Sequence, residues 1–582
     1  MALIRTIAAN CRDCYKCVRH CPMKAIRVAG AHAEVIQDLC IGCGTCVRIC
    51  PQGAKQVRQS QADVLDLLGK GKPVVASVAP SYTSSFEGVS PDSLASALHQ
   101  LGFTHIAETA QAANYVAHRT VEAAAECQSP ALGTSCPVVV NLVERYYPEL
   151  IGHLVPVASP MAAHGRMLKS ALGPEARVVF IGPCIAKKDE ILRDGIQGSV
   201  DAVLTFSELK AMFRDAGIDP AGGADLGDGA STDSAWDFPA IGASRLFPIE
   251  GGLAATAGLS ADGVGRHDLS VTGIEQCISF LDSMASGRHA DVRLVDMLAC
   301  AGGCISGPCA ETDLDMWTRR EKVMDHAERH EGSAALRSEH AQLHVEPKML
   351  TASFVRRDVK RTQPSEEQIR AVLAKTDKLT PADELNCGAC GYNSCRDKAI
   401  AVIHGLAEVE MCIPHMRARA ESLSNLIIAS IPNGIVVVDR DFKIISANQA
   451  FESVFRVNAA ECLGSDVSCV MDPEPFRRVL DSREPQRVEE SHLGGQLITV
   501  QDVFYVEVRD VAVAIVDDVT SERARARAIQ NAREDTLEKA GKVIERQMRV
   551  AQEIAGLLGE TTAETKLLLT QLMKQIQNEE LT

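Results

Sequence analysis

The spacing of the cysteines constrains this chain more than any other feature. Cys11-x2-Cys14-x2-Cys17-x3-Cys21-Pro22 recurs as Cys40-x2-Cys43-x2-Cys46-x3-Cys50-Pro51. Short x2 gaps let a single loop wrap three corners of a metal core, and the x3 gap throws the fourth thiol onto a helix start. A zinc ribbon or a disulfide knot is the alternative, but neither calls for a proline-terminated x3 repeat. There are 21 cysteines in 582 residues, so the redox compartment matters. Met1 to Asn10 lacks the apolar core of a signal peptide, and no apolar run approaches the ~18–20 residues of a membrane span. A cytoplasmic location is therefore expected, where reduced thiols hold metal more often than they form disulfides. A formal charge of −16 argues against a nucleic-acid or anionic-membrane partner.

The double run resembles that of bacterial two-cluster ferredoxins, in which the fourth cysteine of each run serves the other cluster. Residues 1–60 are expected to form such a domain, with one 4Fe–4S cluster on Cys11, Cys14, Cys17 and Cys50 and the other on Cys40, Cys43, Cys46 and Cys21. Gly42 and Gly44 flank Cys43, where small residues let backbone N–H groups approach the sulfides. A further set follows at Cys387-Gly388-Ala389-Cys390, Cys395 and Cys412, with an apolar helical stretch over 399–403 between the last two. A loop giving three thiolates and a helix returning the fourth makes one more cubane site, with zinc as the alternative. Residues 377–420 resemble the small four-iron domain of corrinoid-protein and Rnf-type electron-transfer proteins.

Between these lies a stretch of α/β character, taken as a domain over 61–355. Val74–Pro80 reads as a buried strand, and apolar runs follow at Val155–Ala158 and Val178–Ile181. Four cysteines sit in three loops rich in Gly or Pro: Gly133-Thr134-Ser135-Cys136-Pro137, then Gly182-Pro183-Cys184 running on to Glu190, then Ala299-Cys300-Ala301-Gly302-Gly303-Cys304. These resemble, in order, the three signature loops of the [FeFe]-hydrogenase catalytic domain, and the similarity extends from Met1 to Leu350. The resemblance implies a cubane on Cys136, Cys184, Cys300 and Cys304, with Cys304 bridging to a di-iron subcluster to complete an H-cluster. It gives Lys187 the role of pairing with a cyanide ligand, matches Glu190 to a family glutamate three residues on, and makes Ala79-Pro80-Ser81 and Ser159-Pro160-Met161 pocket walls.

Departures from the family pattern bear on activity. Ser135 stands where the family has a proton-relay thiol. A hydroxyl, whose pKa lies far above the ~8.5 of cysteine, is a poorer relay. Gly182 and Leu298 replace two methionines that shield the di-iron unit. Either the pocket is looser and turnover slow, or di-iron is not held and the domain is a cubane-only scaffold of the kind used in iron–sulfur delivery. Lys187 favours the first, since a lysine in a closed pocket needs an anionic partner. A plain surface lysine in a charged run with Lys188 and Asp189 is the alternative. Cys127, Cys277, Cys309, Cys462 and Cys469 match no ligand position and read as buried small hydrophobes.

Residues 356–376 are polar and read as a linker holding a short helix that starts at a Ser365–Gln368 capping box. Over 421–525 a helix at 423–431, a turn at Pro432-Asn433-Gly434, strands at 435–439 and 442–448, a helix opening at Asn448 and a closing strand ending at Val513–Asp518 resemble a PAS sensor domain. No His or Cys there is singled out as a ligand, so an empty or dimerising domain is expected, its ligand unknown. Over 526–582, Leu537, Ile544, Ala551 and Leu558 form a heptad seam offset by Ala540, Gln547 and Ile554 and resumed at Leu568 and Leu572. A single amphipathic helix on its own PAS domain is the alternative.

The expected fold class is thus multidomain α/β: a ferredoxin-like module with two 4Fe–4S clusters, an H-cluster α/β domain, a small 4Fe–4S domain, a PAS α/β domain and a C-terminal coiled-coil helix. The reading is a sensory member of the [FeFe]-hydrogenase superfamily with four 4Fe–4S clusters, di-iron being an open question. It would be at most a slow hydrogenase, coupling hydrogen or redox state to PAS output. The rival is a di-iron-free redox-sensing or electron-transfer scaffold. Expected partners are a redox protein, a regulatory phosphatase or kinase, and a second copy through the PAS domain and coiled coil, with no nucleic acid and no membrane.

Overall fold

The computed structural model describes residues 2–30, 32–221, 236–240, 242–259, 267–329, 343–359, 362–558 and 562–578. It divides into two compact units, Met1–His415 and Met416–Thr582. No helix among the described residues is long and apolar enough to cross a membrane.

The first unit opens with two short antiparallel pairs, β1 (Ile4–Thr6) with β4 (Lys55–Val57) and β2 (Ile26–Ala29) with β3 (His32–Val35). The repeat in the sequence is a repeat in the backbone. Asp13, Tyr15 and Lys24 have φ of 50°, 54° and 47°, and their counterparts Gly42, Gly44 and Gly53 have φ of 80°, 73° and 58°. Left-handed turns at matched positions give each cysteine loop the same curl. The first copy achieves it with non-glycine residues, at a cost that glycine spares the second.

Next comes a parallel sheet in the order β6 (His105–Glu108), β5 (Val74–Val78), β8 (Arg177–Gly182), β9 (Ala202–Thr205). β5 is buried at every position, as a central parallel strand covered on both faces must be. A second parallel sheet runs β10 (Asp268–Thr272), β11 (Leu294–Leu298), β7 (Ala131–Leu132). All three cysteine loops leave the carboxyl ends of strands: Cys136 follows β7, Cys184 follows β8 and Cys300 follows β11. The chain reverses its winding between β5 and β8, and open α/β sheets bind ligands beyond the strand ends at such a switch point. The apolar run at Val155–Ala158 is not a strand. Within it only Val157 makes a bridge, to Thr351.

Residues read as a linker fold instead as part of the last cysteine module. The helix Glu366–Ala374 does begin at the reciprocal Ser365–Gln368 cap, but its Ile369 and Leu373 pack on Ala399 of the helix Cys395–Ile403. A capped amphipathic helix with a partner this close in sequence buries its apolar stripe rather than bridging solvent.

The second unit is built on an antiparallel sheet in the order β13 (Ile444–Ala447), β12 (Gly434–Val438), β16 (Val511–Asp518), β15 (Leu497–Val506), β14 (Gln486–His492). Its inner face packs Val436, Val438, Val503, Ala514 and Val516 against Phe451, Phe455 and Phe476. Asn448 caps the helix Gln449–Phe455 by accepting from the Phe451 amide at 3.0 Å and ties it to β12 through the Ile435 amide at 2.8 Å. Helices Thr520–Leu558 and Thr562–Asn578 complete the unit. Ile413–Ser430 is a longer helix than the sequence suggested, starting directly after Cys412.

Candidate metal centres and the adjoining cavity

In the first module, Cys43 lies close enough to Cys21, Cys40 and Cys46 to raise the thiol pKa of all three, and Cys21 does the same to Cys40 and Cys46. Burial is the larger cause, pushing Cys40 up to about 12 and Cys21 to about 11. This is the crossed grouping that the spacing predicts, with Cys21 among the thiols of the second run. Cys17 is raised mainly by burial and then by Cys11 and Cys14 beside it. Twin amide contacts secure the crossing cysteines: Ala25 N–H donates to Cys21 Sγ at 3.2 Å and Ala54 N–H to Cys50 Sγ at 3.3 Å. Such donors favour a thiolate and hence a metal core. Lys55 is buried and lowers the pKa of both Cys17 and Cys46.

In the α/β domain Cys136, Cys184, Cys300 and Cys304 converge. Burial raises all four thiols, Cys184 to about 12, and Cys300 is further raised by each of the other three. Four such thiols packed together without a cation would be costly as thiolates, which is the condition a metal core relieves. Among the described residues no three His, Cys, Asp or Glu side chains are grouped as a single-ion site. Thiolates around a four-iron core stand further apart than the ~2.3 Å bonds to one zinc would bring them.

Beside Cys184 and Cys304 lies a cavity of about 80 Å³. Ser135, Lys187, Ala79, Pro80, Ser81, Pro160 and Leu298 line it, as the sequence implied. Lys187 is 8% exposed, pairs with Glu190 at 2.7 Å and donates to the Ser135 carbonyl at 3.3 Å. It is no surface lysine. Ser81 Oγ is buried and has no hydrogen-bond partner. An orphaned hydroxyl and an ammonium in one apolar cavity fit a ligand that carries acceptors and negative charge.

Three expected site residues, Ser159, Gly182 and Glu190, stand outside the cavity lining. Ser159 caps the helix Pro160–Leu172, its hydroxyl accepting from the Ala162 amide at 3.4 Å. Gly182 is not in the wall, because the Phe180 ring fills its side-chain space; a Cβ there would lie 2.8 Å from the ring. Phe180 thus occupies the space that the absent methionine was expected to leave open, and Met161 also lines the cavity. Glu190 acts on Lys187 rather than on the cavity. Phe180, Thr109, Ala113 and Phe247 line it without having been foreseen. Only alternation along β8 hints at Phe180, two residues before Gly182 on one face. Of the cysteines read as buried hydrophobes, Cys277 and Cys309 are buried, Cys127 and Cys462 half-buried, and Cys469 is exposed.

The last module brings Cys387, Cys390, Cys395 and Cys412 around one cavity of about 30 Å³, with Lys378 and Lys398 in its wall. Lys378 Nζ lies 3.4 Å from Cys412 Sγ. The three cysteine modules are joined in series. Asn141 donates to the Ile41 carbonyl at 3.0 Å and Tyr146 to that of Leu39 at 2.6 Å, seating the second ferredoxin loop on the α/β domain. Arg19 donates to the Ala389 carbonyl at 3.1 Å and Lys24 to that of Gly391 at 2.8 Å, seating the last module on the first ferredoxin repeat.

Family comparison agrees with this division. Residues 72–308 match the iron-only hydrogenase large subunit, C-terminal domain; 3–51 a 4Fe–4S dicluster domain; 383–414 an Fe–S cluster family; and 428–524 the PAS fold. The periplasmic [Fe] hydrogenase large subunit of Nitratidesulfovibrio vulgaris is 28% identical over 264 residues, 38% of this chain and 62% of that protein. Iron hydrogenase 1 of Clostridium pasteurianum is 27% identical over 294 residues, 40% of this chain and 50% of that protein. The cytosolic Fe–S cluster assembly factor NAR1 of Kluyveromyces lactis is 39% identical over 94 residues, 16% of this chain and 20% of that protein. The chain therefore spans less than two thirds of the length of each of these relatives. By these matches to its cysteine-bearing segments and its second unit, the chain is an [FeFe]-hydrogenase-like iron–sulfur protein that carries a PAS domain.

Proposed function

We propose that the protein is a sensor in which the cavity beside Cys304 holds a di-iron group on a 4Fe–4S cluster, and that the state of this centre is passed to the PAS domain. The observation that carries the reading is the buried Lys187 ammonium lining the same cavity as Cys184, Cys304 and the unpartnered Ser81 hydroxyl. When bound, a group of this kind supplies the site at which hydrogen binds and is split. The chain's own residues do the rest. Lys187 would exchange Glu190 for the anionic ligand, Ser81 would donate to it, and Phe180, Met161 and Leu298 would limit the access of water. Ser135 offers only a hydroxyl for proton exit, so turnover is slow, which suits a signal that depends on occupancy more than flux.

The four cysteine sets would hold four 4Fe–4S clusters, and their serial seating supports a route for electrons from the cavity toward Cys412, which directly precedes the helix Ile413–Ser430. The helix Thr520–Leu558 leaves Leu537 and Ile554 exposed, and Leu568 and Leu572 of the following helix are exposed as well, which favours pairing with a second copy. Outputs of this type act through a regulatory kinase or phosphatase, with a cytoplasmic redox protein as electron partner.

The second reading is a redox scaffold without di-iron. The missing relay thiol at Ser135 and the 39% identity to an iron–sulfur assembly factor favour it. Hydrogen–deuterium exchange on the full chain under hydrogen and under argon separates the two. The sensor reading expects altered protection within 416–582 under hydrogen. A change that appears only on chemical reduction supports the scaffold, and no change under either condition contradicts coupling altogether.

A further inference from the structure

Beneath the cavity runs a buried polar file that the function proposed above does not use. Thr109, in the cavity wall just past β6, has its hydroxyl 2.8 Å from that of Ser77 on β5, and Ser77 Oγ lies 2.8 Å from Nδ1 of His164. The three residues are 4%, 0% and 0% exposed. His164 sits one turn below Pro160 and Met161 on the helix Pro160–Leu172, and its Nε2 is buried with no partner. Burial holds its pKa down to about 3, so the ring is neutral. Glu108, the carboxylate whose charge reaches it, is already occupied: Arg245 donates to it at 2.9 and 3.0 Å, the Ala240 amide at 3.0 Å, and His326 stands 3.5 Å away.

A neutral imidazole has one N–H, and an orphaned buried N–H is rarer and costlier than an orphaned lone pair. The proton therefore belongs on Nδ1, the nitrogen that has a partner. Nδ1–H then donates to Ser77 Oγ. Ser77 has a single hydroxyl proton and gives it to Thr109 Oγ1. The Thr109 proton is left over, at the wall of the cavity.

We propose that His164 is a positioning residue: acting through Ser77, it turns the Thr109 hydroxyl into the cavity as a hydrogen-bond donor, a third anchor beside Ser81 and Lys187 for an acceptor-rich, anionic ligand. The identity of that ligand rests on the hydrogenase-type reading of the cavity. The polarity of the file does not.

Two measurements on the full chain test this. In protein carrying its iron–sulfur clusters but no di-iron, isotope-edited Raman spectroscopy of the histidine ring C=C stretch separates the two neutral tautomers. The His164 signal is identified by its loss in His164→Phe. The Nδ1–H tautomer is expected, moving when Ser77→Ala removes its acceptor. An Nε2–H tautomer reverses the file and overturns the proposal. In protein loaded with di-iron, Thr109→Val and His164→Phe are expected to shift the cyanide infrared bands in the same direction, the double variant no further than either, with Thr109→Ser restoring the native position. Bands that stay in place overturn the proposal. If the native protein shows no such bands, the hydrogenase-type reading fails and the tautomer alone decides the orientation of Thr109.

Discussion

In the proposed function, Ser135 places a hydroxyl where a proton-relay thiol would stand. Restoring the thiol with Ser135→Cys should raise hydrogen oxidation by about 100-fold, the low end of what a positioned acid–base group contributes. An unchanged rate in anaerobic dye-reduction assays would remove the relay argument. His164 makes a second prediction. Its folded pKa of about 3 lies below the ~6.5 of an exposed histidine, so the unfolded chain takes up a proton first as pH falls. The stability tied to its neutral form is complete above pH ~6.5 and is lost progressively toward pH 3. Chemical denaturation should show roughly 2 kcal/mol of this loss between pH 7 and 5, and His164→Phe should flatten that slope. A slope unchanged in the variant would mean the acid sensitivity lies elsewhere. Both residues stand in plain sight in the sequence. Ser135 was legible because a cysteine loop framed it, whereas His164 sits in an ordinary apolar helix and is given meaning only by the strand it meets.

Among the elements, the ferredoxin loops and the strand-end loops were legible because their function is written in fixed offsets of Cys, Gly and Pro. What spacing could not supply was which element lies against which. Gly44 illustrates this. The sequence marks it as a small residue near sulfides, but its φ of 73° and the 2.6 Å that would separate a Cβ from Pro308 make it the seat of the ferredoxin loop on the cavity domain. Gly44→Ala combines left-handed strain with a clash against a rigid ring. It should cost about 2–4 kcal/mol and loosen this junction first. Thermal unfolding followed by the visible cluster absorbance would register the loss, and a native midpoint would contradict the packing argument. The Glu366–Ala374 helix is the converse case: its cap was readable, its partner was not, and so a packed helix passed for a linker.

At the scale of the whole molecule, the proposed sensor combines four cysteine sets, one cavity of about 80 Å³ and a PAS-helix unit. An iron content of about sixteen per chain corresponds to four cubanes, and about eighteen adds di-iron (4 × 4, plus 2). Ending the chain before Thr520 should turn a dimer into a monomer by light scattering; a full chain that is already monomeric would remove the coiled-coil seam from the account. Infrared spectroscopy of the anaerobically matured protein reaches the central claim most directly. The account predicts carbon monoxide and cyanide stretches that respond to hydrogen and shift when Lys187→Met removes the buried ammonium. A fully cluster-loaded protein with no such bands would contradict it.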